Sequence, residues 1–336
     1  MQQESGRAWY NVSSAQTGLP RDVRVLDIAW SPPEHGFLIG AVCSDGWLRV
    51  FREEEGAWDL VAALLLQTPT GPSGHVRGCL AFAPQHAGLC LACSVGDSGV
   101  VGVYRARDPV RVEAWELCQD FAATPGSTAA SGSCASSSAS ASAGVTCLSW
   151  CPSQGDALML AVACPSGVHL WGLAQGTAGG GEGAGSSGVG GALEGDGAVW
   201  VAMMELCGSG AVVAWAPNPG RLDHCLATSG SEAGRLVFWR VAEGGTPSAR
   251  AMASAAGEST PGLRARPLSQ GLAGAGLAGT VQCVVEAKKS AEVVCKLQFN
   301  AAGTALASLS NEGIMIARVW RQALSGQWLE EGEDDD

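Results

Sequence analysis

The chain carries little positive charge. Of its 336 residues, 20 are Lys or Arg and 32 are Asp or Glu, so the formal net charge is −12 and the pI is about 4.9. An acidic surface repels phosphate backbones and anionic membrane surfaces, and no basic patch offsets this charge. The composition therefore disfavours direct binding to nucleic acid.

Long apolar runs and catalytic motifs are also missing. The longest apolar run, residues 60–66, is far too short to span a bilayer. Residues 1–8 lack a basic flank followed by an apolar run, so no signal peptide is predicted, and the 13 cysteines are expected to be free thiols in a reducing compartment. No nucleophile elbow, Walker loop or H-E-x-x-H motif is present, so no enzymatic activity, catalytic residue or cofactor is expected.

One cysteine pair has the spacing of metal ligands. Cys90 and Cys93 form a C-x-x-C motif, but no second pair follows at zinc-finger spacing. Residues three apart on a strand point to opposite faces, which disfavours joint ligation of one ion. No metal site is therefore expected.

A stretch near the start contains a complete three-strand module. Trp30 ends an apolar strand, a Pro/Gly turn follows, and a second apolar run leads to Asp45 and Gly46. Asp-Gly between two alternating apolar runs predicts a tight hairpin, because glycine adopts positive φ freely. A third strand then closes at Phe51.

The same module occurs five times along the chain. The opening aromatics are Trp30, Phe82, Trp150, Trp215 and Phe299, and the closing aromatics are Phe51, Tyr104, Trp171, Trp239 and Trp320. A candidate fourth strand follows each module, and four antiparallel strands per repeat predict an all-β fold of the WD-repeat β-propeller type. No closing aromatic is followed by Asp, so the WD signature is degenerate.

A single propeller domain is expected over residues 9–329. Its modules lie near residues 30–67, 82–121, 147–207, 212–287 and 296–329. Trp9 and Tyr10 begin a lone outer strand, residues 9–13, that no module precedes. The prediction is therefore five complete blades and one orphan outer strand.

Three biased segments interrupt the modules. Residues 122–143, 174–198 and 243–278 are rich in Gly, Ala and Ser, and they cannot bury enough apolar surface to offset the entropy of ordering. They are predicted to be disordered insertions, and residues 330–336 a solvated acidic tail.

One Gly-His dipeptide precedes the second module. His75 at this position, with Ser94 and Asp97, is predicted to form the buried hydrogen-bond network typical of such a blade. Asp45 and Gly46 form the corresponding turn of the first module. A structural role is favoured over a catalytic one for His75, and all five residues are assigned to the structural network of the blades.

Several of these segments resemble successive blades of Seh-type nucleoporins in the Sec-thirteen/Seh family of WD-repeat proteins. They are residues 30–39, 82–94, 104–117 and 215–221. The run Phe-Ala-Pro-Gln-His-Ala-Gly-Leu-Cys-Leu-Ala-Cys-Ser at 82–94 is the most specific, and it favours the Seh branch over Sec-thirteen.

The resemblance implies a non-enzymatic, open propeller of about six blades. Members of this family are completed by an α-solenoid scaffold nucleoporin that inserts its own strands as an extra blade, which is a form of β-augmentation. The pair belongs to the Y-shaped coat subcomplex of the nuclear pore at the nuclear envelope, where it supports protein and mRNA transport. The sequence departs from the family in lacking most of the first blade. Two explanations stay open: the sequence is truncated at its N-terminus, or the partner supplies more of the ring. The implied partner-binding edge comprises Trp9, Tyr10 and Trp328.

Three alternatives stay open at this point. The family also serves vesicle coats, as Sec-thirteen does, and a nutrient-signalling complex at lysosomal or vacuolar membranes in the cytoplasm. A propeller enzyme would need convergent His, Asp or Glu side chains at turns that line the channel. The corresponding turns hold Asp45, Asp97, Ser166 and Glu312, which are too varied to indicate a site.

Overall fold

The fold was analysed in a computed structural model. It describes residues 19–20, 22–66, 77–125, 144–152, 158–174, 199–206, 210–217, 223–230, 236–242, 265–267, 281–287, 293–311, 315–324 and 327–331. All structural statements below concern these residues.

The described residues form five antiparallel sheets, which we number as blades 1 to 5 in chain order. Blade 1 contains β1 (Val25–Trp30), β2 (Leu38–Cys43), β3 (Trp47–Glu54) and β4 (Ala57–Leu65). Blade 2 contains β5 (Gly78–Phe82), β6 (Cys90–Val95), β7 (Val100–Ala106) and β8 (Trp115–Ala122). Blade 3 contains β9 (Cys147–Trp150), β10 (Met159–Cys164), β11 (Gly167–Ala174) and β12 (Val199–Leu206), to which β16 (Ala265–Pro267) is added. Blade 4 contains β13 (Gly210–Trp215), β14 (Asp223–Gly230), β15 (Leu236–Ala242) and β17 (Val281–Ala287), and blade 5 contains β18 (Val294–Phe299), β19 (Ala305–Asn311), β20 (Met315–Gln322) and β21 (Trp328–Glu330).

This architecture confirms the predicted all-β propeller with five blades. Each opening aromatic is the last residue of the innermost strand of its blade. It lies opposite a residue of the second strand, and the closing aromatic on the third strand lies opposite that same residue. In blade 3, for example, Leu160 lies opposite both Trp150 and Trp171. The spacing of the aromatics along the sequence therefore follows the register of the sheet.

The hairpin at Asp45 and Gly46 forms as predicted. Gly46 has a φ of 83°, and its N–H donates to the carbonyl of Cys43 at 3.1 Å. The Asp45 carboxylate accepts two hydrogen bonds from the Arg49 guanidinium, at 3.0 and 2.7 Å. A turn that needs positive φ explains the glycine, and the ion pair ties the turn to β3.

The apolar core lies between consecutive blades. Residues of blades 1 and 2 form two small clusters, and one larger cluster each joins blades 2 and 3, blades 3 and 4, and blades 4 and 5. The inner strands make extensive contacts in the same order, from β1 to β5, β9, β13 and β18. Among the described residues, no cluster joins blade 5 to blade 1.

Polar links cross these interfaces at the inner strands. The Asp27 carboxylate on β1 accepts a hydrogen bond from the Leu80 N–H on β5 at 2.9 Å. The Trp215 N–H on β13 donates to the Ser149 hydroxyl on β9 at 3.0 Å. These two interfaces, between blades 1 and 2 and between blades 3 and 4, are thus held by both apolar packing and directional bonds.

Three residues of the insertion predicted at residues 243–278 form a strand. Within it, β16 pairs antiparallel with the outer strand β12 of blade 3, with Arg266 opposite Glu205. This three-residue strand supplies hydrogen-bond partners for backbone groups at the edge of β12. The composition of the segment gives no indication of this pairing. The other described residues of the predicted insertions are residues 122–125, which include the end of β8, and Ala174, which ends β11.

The predicted acidic tail also begins later than expected. Glu330 ends β21 and pairs with Arg318 at 3.0 Å, and Glu331 pairs with Arg321 at 2.8 Å. These two carboxylates therefore belong to blade 5, and the rest of the predicted tail lies outside the described residues.

Candidate partner-binding faces at the two ends of the blade series

The opening aromatics share one structural task, which is to pack on the preceding blade. The Trp150 ring of blade 3 is 5% exposed, and its Nε1–H donates to the carbonyl of Ala81 in blade 2 at 3.0 Å. Trp215 packs among residues of blade 3, and Phe299 packs among residues of blade 4. Phe82 lies partly buried against Leu38 of blade 1.

The opening aromatic of blade 1 is different because no described residue covers it in this way. Trp30 is 59% exposed, and Ile28 and Leu60 on the same face are 57% and 50% exposed. The Trp30 ring contacts only the edge of its own blade in the described aromatic contacts, in a T-shaped arrangement with Trp58 at 5.6 Å. We call this surface, defined by Ile28, Trp30, Trp58 and Leu60, the blade 1 face.

A second apolar face lies at the other end of the series. Met315 and Val319 on β20 and Leu329 on β21 are exposed, and their side chains point away from blade 4. In blade 1, the equivalent face buries Leu38, and it is covered there by blade 2. We call the surface of Met315, Val319 and Leu329 the blade 5 face.

The inner strand of blade 1 carries a partly buried carboxylate, Asp27. Burial raises the pKa of Asp27, while hydrogen bonds from the N–H groups of Leu80 and Ile28 and the charge of Lys296 on β18 act to lower it. Lys296 therefore lies near enough to Asp27 to influence its charge. This long-range attraction is the one described electrostatic link between blades 1 and 5.

The predicted polar network of His75, Ser94 and Asp97 is described for only two of its three residues. The Ser94 hydroxyl is buried and donates to the carbonyl of Val100 at 2.7 Å, within its own hairpin. Asp97 lies in the turn after β6, and no described hydrogen bond joins it to Ser94. His75 lies outside the described residues, so the three-residue network stays a prediction.

The predicted partner edge must be revised at its one described residue. Trp328 is 4% exposed and stacks on Phe238 of blade 4, with ring centroids 4.3 Å apart. Its ring therefore lies in the interface between blades 4 and 5. Side chains on a strand alternate between its two faces, so the next residue points away from this interface. Leu329, the next residue, supplies the exposed side chain. Trp9 and Tyr10 lie outside the described residues.

A different polar pair holds the closing aromatics of two blades. The Nε1–H of Trp239 donates to the Thr228 hydroxyl at 2.8 Å, and that of Trp320 donates to the Ser308 hydroxyl at 2.9 Å. The hydroxyl lies two residues beyond the one that faces the Trp across the hairpin. Sequence reasoning missed these pairs, although a Ser or Thr at this offset from a closing Trp is a readable signal.

The chemistry of the described side chains gives no support to a catalytic centre. Burial raises the pKa of Cys90 to about 12 and that of Cys147 and Cys164 to about 11, so these groups are weakly nucleophilic thiols at neutral pH. A cavity of about 270 Å³ in blade 2 is lined by Ser94, Tyr104 and other residues, none of them histidine. Within the described part of the chain, no group of three or more His, Cys, Asp or Glu side chains could hold a metal ion.

Membrane insertion by helices has no candidate segment either. In the ranges given above, no helix combines the length and apolar character that crossing a bilayer requires.

Comparisons with known proteins place these observations in context. Nucleoporin SEH1 of Saccharomyces cerevisiae is 25% identical over 235 residues, which cover 66% of this chain and 55% of that protein. Nucleoporin seh1 of Schizosaccharomyces pombe is 25% identical over 156 residues, covering 45% of this chain and 41% of that protein. These two matches confirm the resemblance to Seh-type nucleoporins. The chain spans about half the length of the nucleoporins it matches.

More distant matches add less. A probable cytosolic iron-sulfur protein assembly protein, ciao1-B of Salmo salar, is 36% identical over 91 residues, or 26% of this chain and 25% of that protein. The crystal structure of Chaetomium thermophilum Raptor covers 94% of this chain and 21% of its own, with a TM-score of 0.46 and 11% identity, and we draw nothing from it. No protein-family model matches the chain.

Proposed function

We propose that the chain is a non-enzymatic scaffold subunit of the Y-shaped coat subcomplex of the nuclear pore. In this proposal it binds an α-solenoid scaffold nucleoporin, which inserts strands as an additional blade between blade 5 and blade 1. The similarity to Seh-type nucleoporins supports the nuclear pore as the location. The carrying observation is this similarity, which extends over 66% of the chain in the Saccharomyces cerevisiae match.

The physical reason for binding is the unfavourable exposure of two apolar sheet faces. The blade 1 face and the blade 5 face are each built like surfaces that are covered elsewhere in the same fold. An inserted blade would remove both faces from water in a single step, and each Å² of apolar surface buried contributes about 25 cal/mol. Unpaired backbone N–H and C=O groups at the sheet edges beside the gap would also gain hydrogen-bond partners.

The proposal is tested by affinity purification of the tagged endogenous protein, followed by mass spectrometry. Recovery of Y-complex nucleoporins, including an α-solenoid subunit, is the expected result. Recovery of vesicle-coat subunits, or of a nutrient-signalling complex without any nucleoporin, would instead move the protein to one of the alternative assemblies. Absence of any stable partner would refute the scaffold function.

A matched pair of variants ties the partner to the gap. Val319→Asp places a charge on the blade 5 face and is expected to abolish recovery of the α-solenoid subunit. Val110→Asp, at a 79% exposed position in the loop between β7 and β8, is the control and is expected to leave recovery unchanged. Equal recovery with both variants would show that the partner binds elsewhere.

A further inference from the structure

We propose that the cavity of about 270 Å³ beside Tyr104 is a binding pocket for one basic side chain, an arginine or lysine presented by a partner protein. The pocket lies between blade 2 and the end of blade 1, where Leu66, the residue after β4, forms part of its wall. It shares no residue with the blade 1 face or the blade 5 face. The proposal therefore stands independently of the proposed function.

A glycine at one position of β7 creates the space. In the other four blades, the residue two before the closing aromatic carries a side chain, and these residues are Arg49, His169, Val237 and Arg318. In blade 2 this residue is Gly102, and the Tyr104 ring lies over it, so that a Cβ added at Gly102 would come within 2.7 Å of the ring. The missing side chain leaves room between this face of the sheet and Leu66, and the cavity occupies that room.

The Tyr104 hydroxyl has no hydrogen-bond partner among the described residues. In blades 4 and 5, the closing tryptophan donates to Thr228 or Ser308, which lies two residues beyond the one that the tryptophan faces. The residue at that position in blade 2 is Cys93, because Leu91 faces Tyr104. A thiol is only a weak hydrogen-bond acceptor, so the hydroxyl is available to a ligand.

Asp120 supplies the charge of the pocket. Gly102 lies opposite both Cys93 and Asp120, so these two side chains project from the same face of blade 2 as Tyr104 does. Burial raises the pKa of Tyr104, and the neighbouring Cys93 and Asp120 add to this effect, which places the carboxylate near the phenol. In the described part of the chain, no hydrogen bond or ion pair involves the Asp120 side chain, and no residue that lines the cavity is Lys, Arg or His.

Size and charge together select a basic side chain. The cavity is smaller than the roughly 300–1,000 Å³ of pockets that hold drug-sized ligands, so it suits a single side chain. Leu66, Val100 and Leu117 would contact the aliphatic stem of an arginine or lysine. The Asp120 carboxylate would accept hydrogen bonds from its charged end, and the Tyr104 ring would add a cation–π contact. The net charge of −12 would also attract a basic segment.

Ring-¹³C tyrosine labelling of the full chain tests the proposal, because the chain has only 2 tyrosines and Tyr104→Phe identifies the signal of Tyr104. The probes are glycine peptides with one central arginine, lysine or norleucine. Titration with the arginine or lysine peptide is expected to shift the Tyr104 signal with a Kd on the order of 1 mM, because a single side chain brings little binding free energy. Norleucine keeps the aliphatic stem but lacks the charge, and its peptide is expected to bind at least about tenfold more weakly.

Matched carboxylate variants tie the binding to the pocket. Asp120→Asn removes the charge with little change in shape and is expected to weaken binding of both basic peptides about tenfold. Asp59→Asn removes one charge from an exposed position on β4, the outer strand of blade 1, and should bind as the wild type does. In Gly102→Ala the new Cβ would displace the Tyr104 ring, and binding is expected to be lost.

Three results would overturn the proposal. No shift of the Tyr104 signal at peptide concentrations far above the expected Kd would show that the pocket is closed to a ligand. Equal binding of the norleucine peptide would show that the pocket does not select charge. Equal binding to wild type and Asp120→Asn would place the peptide elsewhere. None of these results affects the outcome of the affinity purification, so a failure here leaves the proposed function standing.

Discussion

Blade 3 contains a buried donor without a partner, and this defect predicts a stabilising substitution. The Nε1–H of Trp171 has no hydrogen-bond partner in the described part of the chain. The equivalent tryptophans, Trp239 and Trp320, donate to Thr228 and Ser308. In blade 3 the residue at the position of Thr228 is Val162, because Leu160 faces Trp171 and Val162 lies two residues beyond.

Val162→Thr should therefore stabilise the protein by about 1 kcal/mol. Pairing a buried donor that was unsatisfied recovers about 2 kcal/mol, and exchanging one buried methyl for a hydroxyl costs about 1 kcal/mol. Thr and Val have nearly the same shape, and Val162 is fully buried, so no cavity opens. In a domain of this size, the change corresponds to about 2 °C in Tm.

The assay is equilibrium unfolding in urea, followed by far-ultraviolet circular dichroism and repeated in a Trp171→Phe background. The midpoint should rise in Val162→Thr with an unchanged m-value. Because phenylalanine has no donor, the gain should disappear when Trp171→Phe is present. A gain that persists there would show that the hydroxyl acts through another group, such as the neighbouring His169, and a net loss in the single variant would refute the reasoning.

Three further predictions concern stability and can be measured by the same unfolding assay. Gly303→Ala should cost about 2 kcal/mol or more of unfolding free energy, because its φ is +64° and the new Cβ would meet a backbone carbonyl of blade 4. Gly56→Ala is the control: its φ is +83°, but the new Cβ would point into open space, so the cost should be about 1 kcal/mol. Equal costs for the two variants would contradict the close approach at Gly303. Asp45→Asn should cost about 1 kcal/mol at neutral pH. Because the hydrogen bond from Arg49 lowers the pKa of Asp45, the difference from wild type should begin to shrink as pH falls below the ordinary value of 3.8 and be lost as pH falls through the lowered pKa of the folded protein; a difference that stays constant over this range would contradict the pairing. Burial lowers the pKa of His169, so the folded protein keeps this side chain neutral and its stability should fall as pH drops below 6.5, where the unfolded chain takes up the proton more readily. His169→Phe should reduce this dependence of the unfolding free energy on pH. An unchanged dependence would assign it to other groups.

Much of the fold could be predicted because it is encoded in local pattern. Alternating apolar runs, Asp-Gly turns and regularly spaced aromatics specify each hairpin on its own, and the five predicted modules correspond to the five sheets. The Asp45–Gly46 turn is such a case, since positive φ at one position decides it. β16 shows the limit, because its three residues pair with the edge of β12, a strand that lies about 60 residues earlier in the chain, and no local pattern indicates this pairing.

The candidate site was harder to predict because exposure depends on position in the blade series. Trp30 and Trp150 have the same local pattern, and only the preceding blade distinguishes a buried ring from an exposed one. Trp328 failed as a predicted contact for the opposite reason. The resemblance placed it at the partner-binding edge, but strand alternation directs its ring inward against Phe238 and turns Leu329 outward.

The two exposed faces also determine the orientation that an inserted blade would need. Every interface in the described series joins an aromatic from the following blade to an apolar face of the preceding one, as Trp150 does with blade 2 and Phe299 with blade 4. At the gap, blade 1 offers the aromatic, Trp30, and blade 5 offers the apolar face of Met315, Val319 and Leu329. In the proposed function, a partner blade that fits would present an apolar face without a large ring to Trp30, and an apolar or aromatic side chain to blade 5. Inserted the other way round, it would set two aromatics against each other at blade 1 and leave the blade 5 face without one, so the polarity of the series selects a single direction of insertion.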